Sequence, residues 1–266
     1  MFKRKVTLII FCIIIAFLVL AGKFLQKIYV PPILMYHYVY DGANPGDPLV
    51  VTPAAFERQM HFLKKYRYNV VPLNELTELI REKGKIPGRT VALTFDDGFK
   101  NNYTNAFPIL RKYNFPATMF IITDEVNRPQ GDKMTWGEMR IMQASGMIDF
   151  GSHTLGPQPL VNIKSQEELK RQIFDSKKVL EEKLGREVAT FSYPEGMFDQ
   201  NIKQLVIDAG YKAAVATKPG RKSANDDLFA LKRVRISQKA DNLFIFWFES
   251  SGFYTFFKEG RGGHKK

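Results

Sequence analysis

The sequence predicts an α/β fold of parallel strands joined by helical crossovers, behind one apolar N-terminal segment. Two observations from the main body of the chain predict the crossovers. From residue 33 onward, strand-like and helix-like segments take turns roughly every 20–30 residues. Short polar motifs then follow several of the strands directly, where parallel barrels and open sheets place their reactive groups. The third observation is an uncharged run at the N-terminus, Val6 to Gly22. The chain has 266 residues, 45% hydrophobic and 25% charged, which suits a folded domain with a sizeable core rather than a disordered chain.

The elements read in order as follows. Lys3, Arg4 and Lys5 precede the apolar run and hold the N-terminus in the cytoplasm, so that the rest of the chain is exported. The run has 17 residues, at the short edge of a bilayer span. Leu18-Val-Leu-Ala-Gly-Lys23 has no clean small-x-small cleavage site, which favours an uncleaved anchor over a cleaved signal peptide. Residues 1–5 are then a cytoplasmic basic stub, 6–22 a signal anchor and 23–32 a juxtamembrane segment ending at Pro31-Pro32. Ile33 to Tyr36 reads as a buried strand, and Thr52-Pro53 as a capped helix start continued by Phe56, Met60 and Leu63. Strand Asn69–Pro72, capped helix Asn74–Lys83 and strand Thr90–Phe95 follow. Helix 105–113, strand 117–122, helix 135–145, strand 148–151 and a long helix 165–184 come next. Strand 189–193, helix 202–209 and strand 213–216 complete the alternation. No repeat or linker interrupts residues 33–240, which are expected to form one domain, with 241–266 as an aromatic and basic extension.

Composition excludes several functions. The only cysteine is Cys12, so neither a disulfide scaffold nor a thiolate metal site is available. There is no Gly-x-Gly-x-x-Gly, Walker loop or paired-cysteine zinc module. The net charge of +12 suits anionic lipid or an acidic envelope polymer, and no nucleic-acid module accompanies it.

Three motifs carry chemistry. In Thr94-Phe-Asp-Asp-Gly98 two adjacent carboxylates end an apolar strand, one free to bind a cation while the other accepts a proton. In Gly151-Ser-His-Thr154 a histidine follows a buried strand and pairs with Asp97 as mixed oxygen and nitrogen donors for a divalent metal. Phe191-Ser-Tyr-Pro-Glu-Gly196 is a strand-end turn able to aim backbone N–H groups at a developing oxyanion.

The order of these motifs resembles the polysaccharide deacetylase (NodB homology) family, carbohydrate esterase family four, over about residues 33 to 236. The Tyr36-His37 opening resembles the branch that includes poly-N-acetylglucosamine deacetylases. The resemblance implies an incomplete (β/α)7-type barrel that removes N-acetyl groups from an amino-sugar polysaccharide. It also implies a divalent metal (Zn, Co or Ni) held by one aspartate and two histidines. Residue by residue, it makes Asp96 the general base, Asp97 and His153 metal ligands, and His37 the general acid. Tyr193, Pro194, Glu195 and Gly196 form its oxyanion and substrate turn.

The pattern is broken in three places. The second metal histidine belongs four or five residues after His153, where this chain has Pro157 and Gln158. Gln158 or Glu195 is left as the third donor, and the metal is expected to bind weakly. The arginine common in the third motif is Ser192, and its usual aromatic is Glu195. Two functions stay open: a membrane-anchored deacetylase facing outward from the inner membrane of a bacterium, or a non-catalytic carbohydrate-binding relative. The aromatic stretches Leu243–Phe248 and Gly252–Phe257, followed by Lys258 and Arg261, either pack on the barrel or meet the membrane interface.

Overall fold

The computed structural model describes residues 2–42, 46–84, 86–128, 131–217 and 227–261. The chain starts with helix α1 (Phe2–Ile28), then β1 (Ile33–Tyr36), β2 (Tyr38–Val39), β3 (Val50–Val51), α2 (Pro53–Lys65), β4 (Asn69–Val70) and α3 (Leu73–Arg81). Strand β5 (Thr90–Phe95) leads through a π turn into α4 (Phe107–Tyr113), followed by β6 (Ala117–Ile121), α5 (Trp136–Ala144) and β7 (Ile148–Ser152). Helices α6 (Gln166–Lys170) and α7 (Ser176–Leu184), strand β8 (Thr190–Ser192), α8 (Gln200–Asp208) and β9 (Ala213–Ala216) continue the alternation. The two short strands β10 (Leu231–Lys232) and β11 (Val234–Arg235) precede helices α9 (Leu243–Glu249) and α10 (Tyr254–Arg261).

The main sheet runs β10-β9-β8-β7-β6-β5-β1-β11, with β4 added alongside β5, and every pairing in it is parallel. Its two ends, β10 and β11, are separated in sequence by Arg233 alone, so consecutive residues reach opposite edges and the sheet curls into a nearly closed barrel. Alternation along β5 explains the layers. Val91, Leu93 and Phe95 join the outer core under the helices. Ala92 turns inward to a smaller cluster with Ile33, Phe120, Val215 and Leu231, into which α3 sends Leu73, Leu76 and Ile80. On the same inward row, two and four residues on, stand Thr94 and Asp96.

Helix starts follow the expected chemistry. The Thr52 hydroxyl accepts the Ala55 N–H at the head of α2, with proline in the first turn. Thr135 and Glu138 form a reciprocal capping box on α5. Two expectations change. The helix predicted to be capped at Asn74 begins one residue earlier, after Pro72, with no side-chain cap. The long helix predicted over 165–184 is split by a π turn at Arg171–Asp175, where Gln172 turns inward to accept the Gly156 N–H.

Helix α1 forms, but the predicted span over 6–22 begins outside the described side chains. Among the described residues no helix is long and apolar enough to cross a membrane. The last five residues of the basic extension, with His264, also lie outside the described residues. Of the aromatic extension, Phe246 packs on the domain, fully buried and edge-on to Phe62 at 5.7 Å between centroids, while Phe244, Trp247, Phe256 and Phe257 are exposed.

Glu249, at the end of α9, is buried with one carboxylate oxygen lacking a hydrogen bond. Burial pushes its pKa up to about 7, against a smaller opposing pull from Lys258. The folded chain therefore holds this proton where the unfolded chain has released it, and stability falls as pH rises from the ordinary glutamate range to about 7. Glu249→Gln should raise stability at pH 8 by up to about 3 kcal/mol and leave it nearly unchanged at pH 4. Urea unfolding of both proteins across that range checks the sign.

Candidate active site

Register delivers the site. Tyr36 pairs with Phe95, so His37 and Asp96 leave β1 and β5 side by side, and the Asp96 N–H donates to the Tyr36 carbonyl at 3.0 Å. His153 leaves β7 one position beyond the pair Ile121–Ser152, its N–H donating to Ile121. Tyr193 leaves β8 just after Ser192 pairs with Val215. All of these positions lie at the carboxyl ends of the strands.

Three motif residues without glycine's freedom adopt left-handed backbone there: Asp97 (φ 68°), Thr154 (φ 70°) and Glu195 (φ 54°). Such conformations cost about 1–3 kcal/mol each and persist where surrounding structure imposes them. The turn at Asp97 leaves its side chain partly exposed while that of Asp96 is buried. At Gly196 a Cβ would run into the backbone and side chain of Thr217, so the third motif closes only with glycine.

Asp96 is the most constrained group in the site. Both of its oxygens accept from Arg233, Nη1 and Nη2 each at 2.6 Å, and both side chains are buried. Burial by itself would raise the Asp96 pKa, but the guanidinium, helped by His153 and His37, brings it down to about 2. Arg233 Nη2 also donates to the Ser192 hydroxyl at 2.9 Å. Ser192 thus occupies the third-motif position where the family resemblance implied an arginine, and the guanidinium arrives from the β10–β11 junction instead. Arg233 was not among the sequence-derived candidates. Its signal was a run of three charges, Lys232, Arg233 and Arg235, inside the apolar stretch Ala230–Ile236.

His153 Nδ1–H donates to the Ser192 carbonyl at 2.7 Å, which leaves Nε2 facing Asp97 at 3.5 Å and Asp96 at 3.9 Å. His37 presents a buried Nδ1 without a partner, and burial lowers its pKa against the opposing pull of Asp96 and Asp97. At neutral pH its imidazole is uncharged. The Asp97 carbonyl accepts from Lys133 at 2.9 Å, and Lys133 in turn pairs with Glu125 at 2.8 Å. Asp96, Asp97, His37 and His153 therefore converge. In the third motif, Tyr193 and Pro194 are buried, while Glu195 is exposed. The Gly196 N–H is used within the turn, donating to Tyr193.

Donor chemistry tests the metal expectation. Asp97 and His153 offer one carboxylate and one imidazole nitrogen. Pro157 and Gln158 are exposed, and among the described residues no group of three or more His, Cys, Asp or Glu could hold a metal ion. These residues do not fit the three-donor sphere.

Comparison with known proteins gives the family. Residues 83–214 match the polysaccharide deacetylase family. YxkH of Bacillus subtilis (strain 168), whose name puts it among the polysaccharide deacetylases, is 31% identical over 206 residues, covering 77% of this chain and 71% of that protein. A poly-beta-1,6-N-acetyl-D-glucosamine N-deacetylase of Staphylococcus aureus is 29% identical over 213 residues, covering 76% of this chain and 73% of that one. The structure of the Streptococcus pyogenes deacetylase PplD in complex with acetate superposes with a TM-score of 0.74 at 28% identity, over 82% of this chain and 97% of that one.

Two outcomes follow from the geometry. Arg233→Met leaves Asp96 buried and uncompensated and should cost about 3–5 kcal/mol in urea unfolding, most of it recovered in the double variant Asp96→Asn/Arg233→Met. In a zinc titration, Pro157→His should bind at least about tenfold more tightly than the unaltered chain, because it returns an imidazole to a two-donor site.

Proposed function

The chain belongs to the polysaccharide deacetylase family, and we propose that it hydrolyses N-acetyl groups on an envelope or extracellular amino-sugar polysaccharide, held to the membrane by α1. The observation that carries this reading is the convergence of Asp96, Asp97, His37 and His153 at the strand ends, with Asp96 held ionised by Arg233. The name of the Staphylococcus aureus relative supports a poly-N-acetylglucosamine substrate.

Hydrolysis adds water to the acetyl carbonyl and breaks the C–N bond, so a proton must leave the water and another must reach the departing amine. Asp96 is a carboxylate at any physiological pH and is the acceptor for the water proton. Its low basicity means that it passes that proton on: the neutral His37 takes it up at its unpartnered Nδ1 and gives it to the amine as the C–N bond breaks. The turn at Tyr193–Gly196 offers the Glu195 N–H to the oxyanion. Asp97 and the unprotonated Nε2 of His153 accept from the attacking water and hold it between them.

Anchoring is supported by the three basic residues ahead of Val6–Gly22 and by the side chains of α1, among them Phe17 and Leu20, which lie two-thirds exposed with nothing in the domain to cover them. In this reading the domain lies outside the cytoplasm. A second reading, a carbohydrate-binding relative without turnover, is favoured by one observation, the two-donor site at Asp97 and His153.

Acetate release from β-1,6-linked N-acetylglucosamine oligomers separates the two. The unaltered chain should release acetate, and both Asp96→Asn and His37→Gln should lower the rate by about 100-fold or more. No release from the unaltered chain, with or without added zinc, alongside retained oligomer binding, would establish the second reading.

A further inference from the structure

The far end of the barrel carries a surface that deacetylation does not use. Helix α9 buries Phe246 and turns Phe244 (71% exposed) and Trp247 (46% exposed) outward. Between these rings and α2 runs a groove of about 530 Å³, lined on its other side by Arg58, Lys65, Tyr66 and Arg89. Arg58 is paired with Asp241 at the rim. Arg89 donates to the Tyr66 carbonyl at 2.9 Å, which spends one donor and none of its charge. Lys65 lies 5.6 Å from the Tyr66 ring and makes no ion pair among the described residues.

The groove sits at the foot of α1. Tyr29, just past the helix, donates to the carbonyl of Thr90, next to Arg89. Val30 N–H donates to Gly252 at 2.8 Å, and Phe24 meets Phe256 edge-on at 6.4 Å. Gly252 must be glycine, since a Cβ would run into the Tyr29 ring. From Gly22, where the apolar run ends, to Tyr29 the helical rise spans about 10 Å, enough to cross a headgroup layer of about 5–7 Å. Arg89 also precedes β5, whereas Asp96 follows it, so groove and active site stand at opposite ends of a strand about 20 Å long.

We propose that the groove between α2 and α9 binds an anionic, phosphate-bearing lipid headgroup and seats the domain on the membrane with its active site facing away. The proposal rests on the reading of α1 as an anchor. Lysine and arginine suit a phosphate, and Phe244 and Trp247 at the rim suit the interfacial layer, where aromatic rings bury their faces at headgroup depth. The amino-sugar polymer is a poor fit for the same groove, because each acetyl group removed exposes an amine whose positive charge Lys65 and Arg89 repel.

Trp247 is the natural reporter, since Trp136 is the only other tryptophan. The full chain carrying Trp136→Phe is reconstituted into phosphatidylcholine vesicles with and without phosphatidylglycerol, floated on a density gradient, and probed with brominated lipids. Trp247 should be quenched more by bromines near the headgroup than by deep ones, and phosphatidylglycerol should strengthen that quenching. Adding Lys65→Gln and Arg89→Gln should abolish the phosphatidylglycerol increment without releasing the chain from the vesicles. A chain that floats with Trp247 unquenched, or an increment that survives both substitutions, overturns the groove site while leaving the anchor intact. A chain that floats with neither lipid overturns the anchor reading itself.

Discussion

The buried pair between Asp96 and Arg233 is the constraint on which the rest of the site depends. Arg233 is the single residue between β10 and β11, the two ends of the sheet, so its backbone closes the barrel while its side chain reaches the end of β5. Its N–H donates to Ala216 on one side, and Ile236 N–H donates to Met35 on the other. A charge pair in a dry interior holds only when geometry and extra hydrogen bonds offset desolvation. Here both carboxylate oxygens are engaged, the Ser192 hydroxyl takes a further guanidinium N–H, and Arg233 lies 5.5 Å from the Phe120 ring. The small side chain at 192 is part of the same solution. A second arginine there would set two guanidinium groups against one carboxylate.

With Asp96 immobilised, the neighbouring backbone has to take up the distortion. Asp97 and Thr154 turn left-handed two residues after a buried strand end, and Glu195 three residues after one. The buried strands cannot yield, because their alternate side chains fill the outer core and the barrel interior, and so the strain stays in the motifs. This is the physical reason for their residue choice. A β-branched threonine at φ 70° is tolerated because its hydroxyl bonds locally, to the Gly156 carbonyl at 2.6 Å.

Much of this was legible in the residues, and the illegible parts share a cause. Thr90–Phe95 and Ala213–Ala216 match the structure to the residue because each is a short run buried on both faces and bounded by turn residues. Asp96, Asp97 and His153 stand out as candidates because they terminate such runs, and His37 through the family resemblance; the fold brings the four together. Arg233 was missed because β10 and β11 are two residues long, too short for any periodicity, and β11 takes its place in the sheet from β1, at the far end of the chain, while β10 takes its place from β9. The break in the helix at Arg171–Asp175 was invisible for a similar reason, since it answers to the loop at Gly156 rather than to its own sequence.

The barrel also separates two kinds of chemistry along its axis. Its carboxyl end gathers Asp96, Asp97, His37 and His153, with Arg233 on Asp96 and Lys133 on the Asp97 carbonyl. Its amino end, where α1 joins, gathers Lys65, Arg89 and the outward rings of α9. On the proposed function, a polymer that gains positive charge as its acetyl groups are removed would be drawn to the first surface and repelled by the second, and an anionic bilayer would have the opposite preference. With the amino end on the lipid, product and membrane do not compete for one surface. On the proposed seating the pocket faces away from the bilayer, and the about 20 Å length of β5 sets its minimum height above the headgroups.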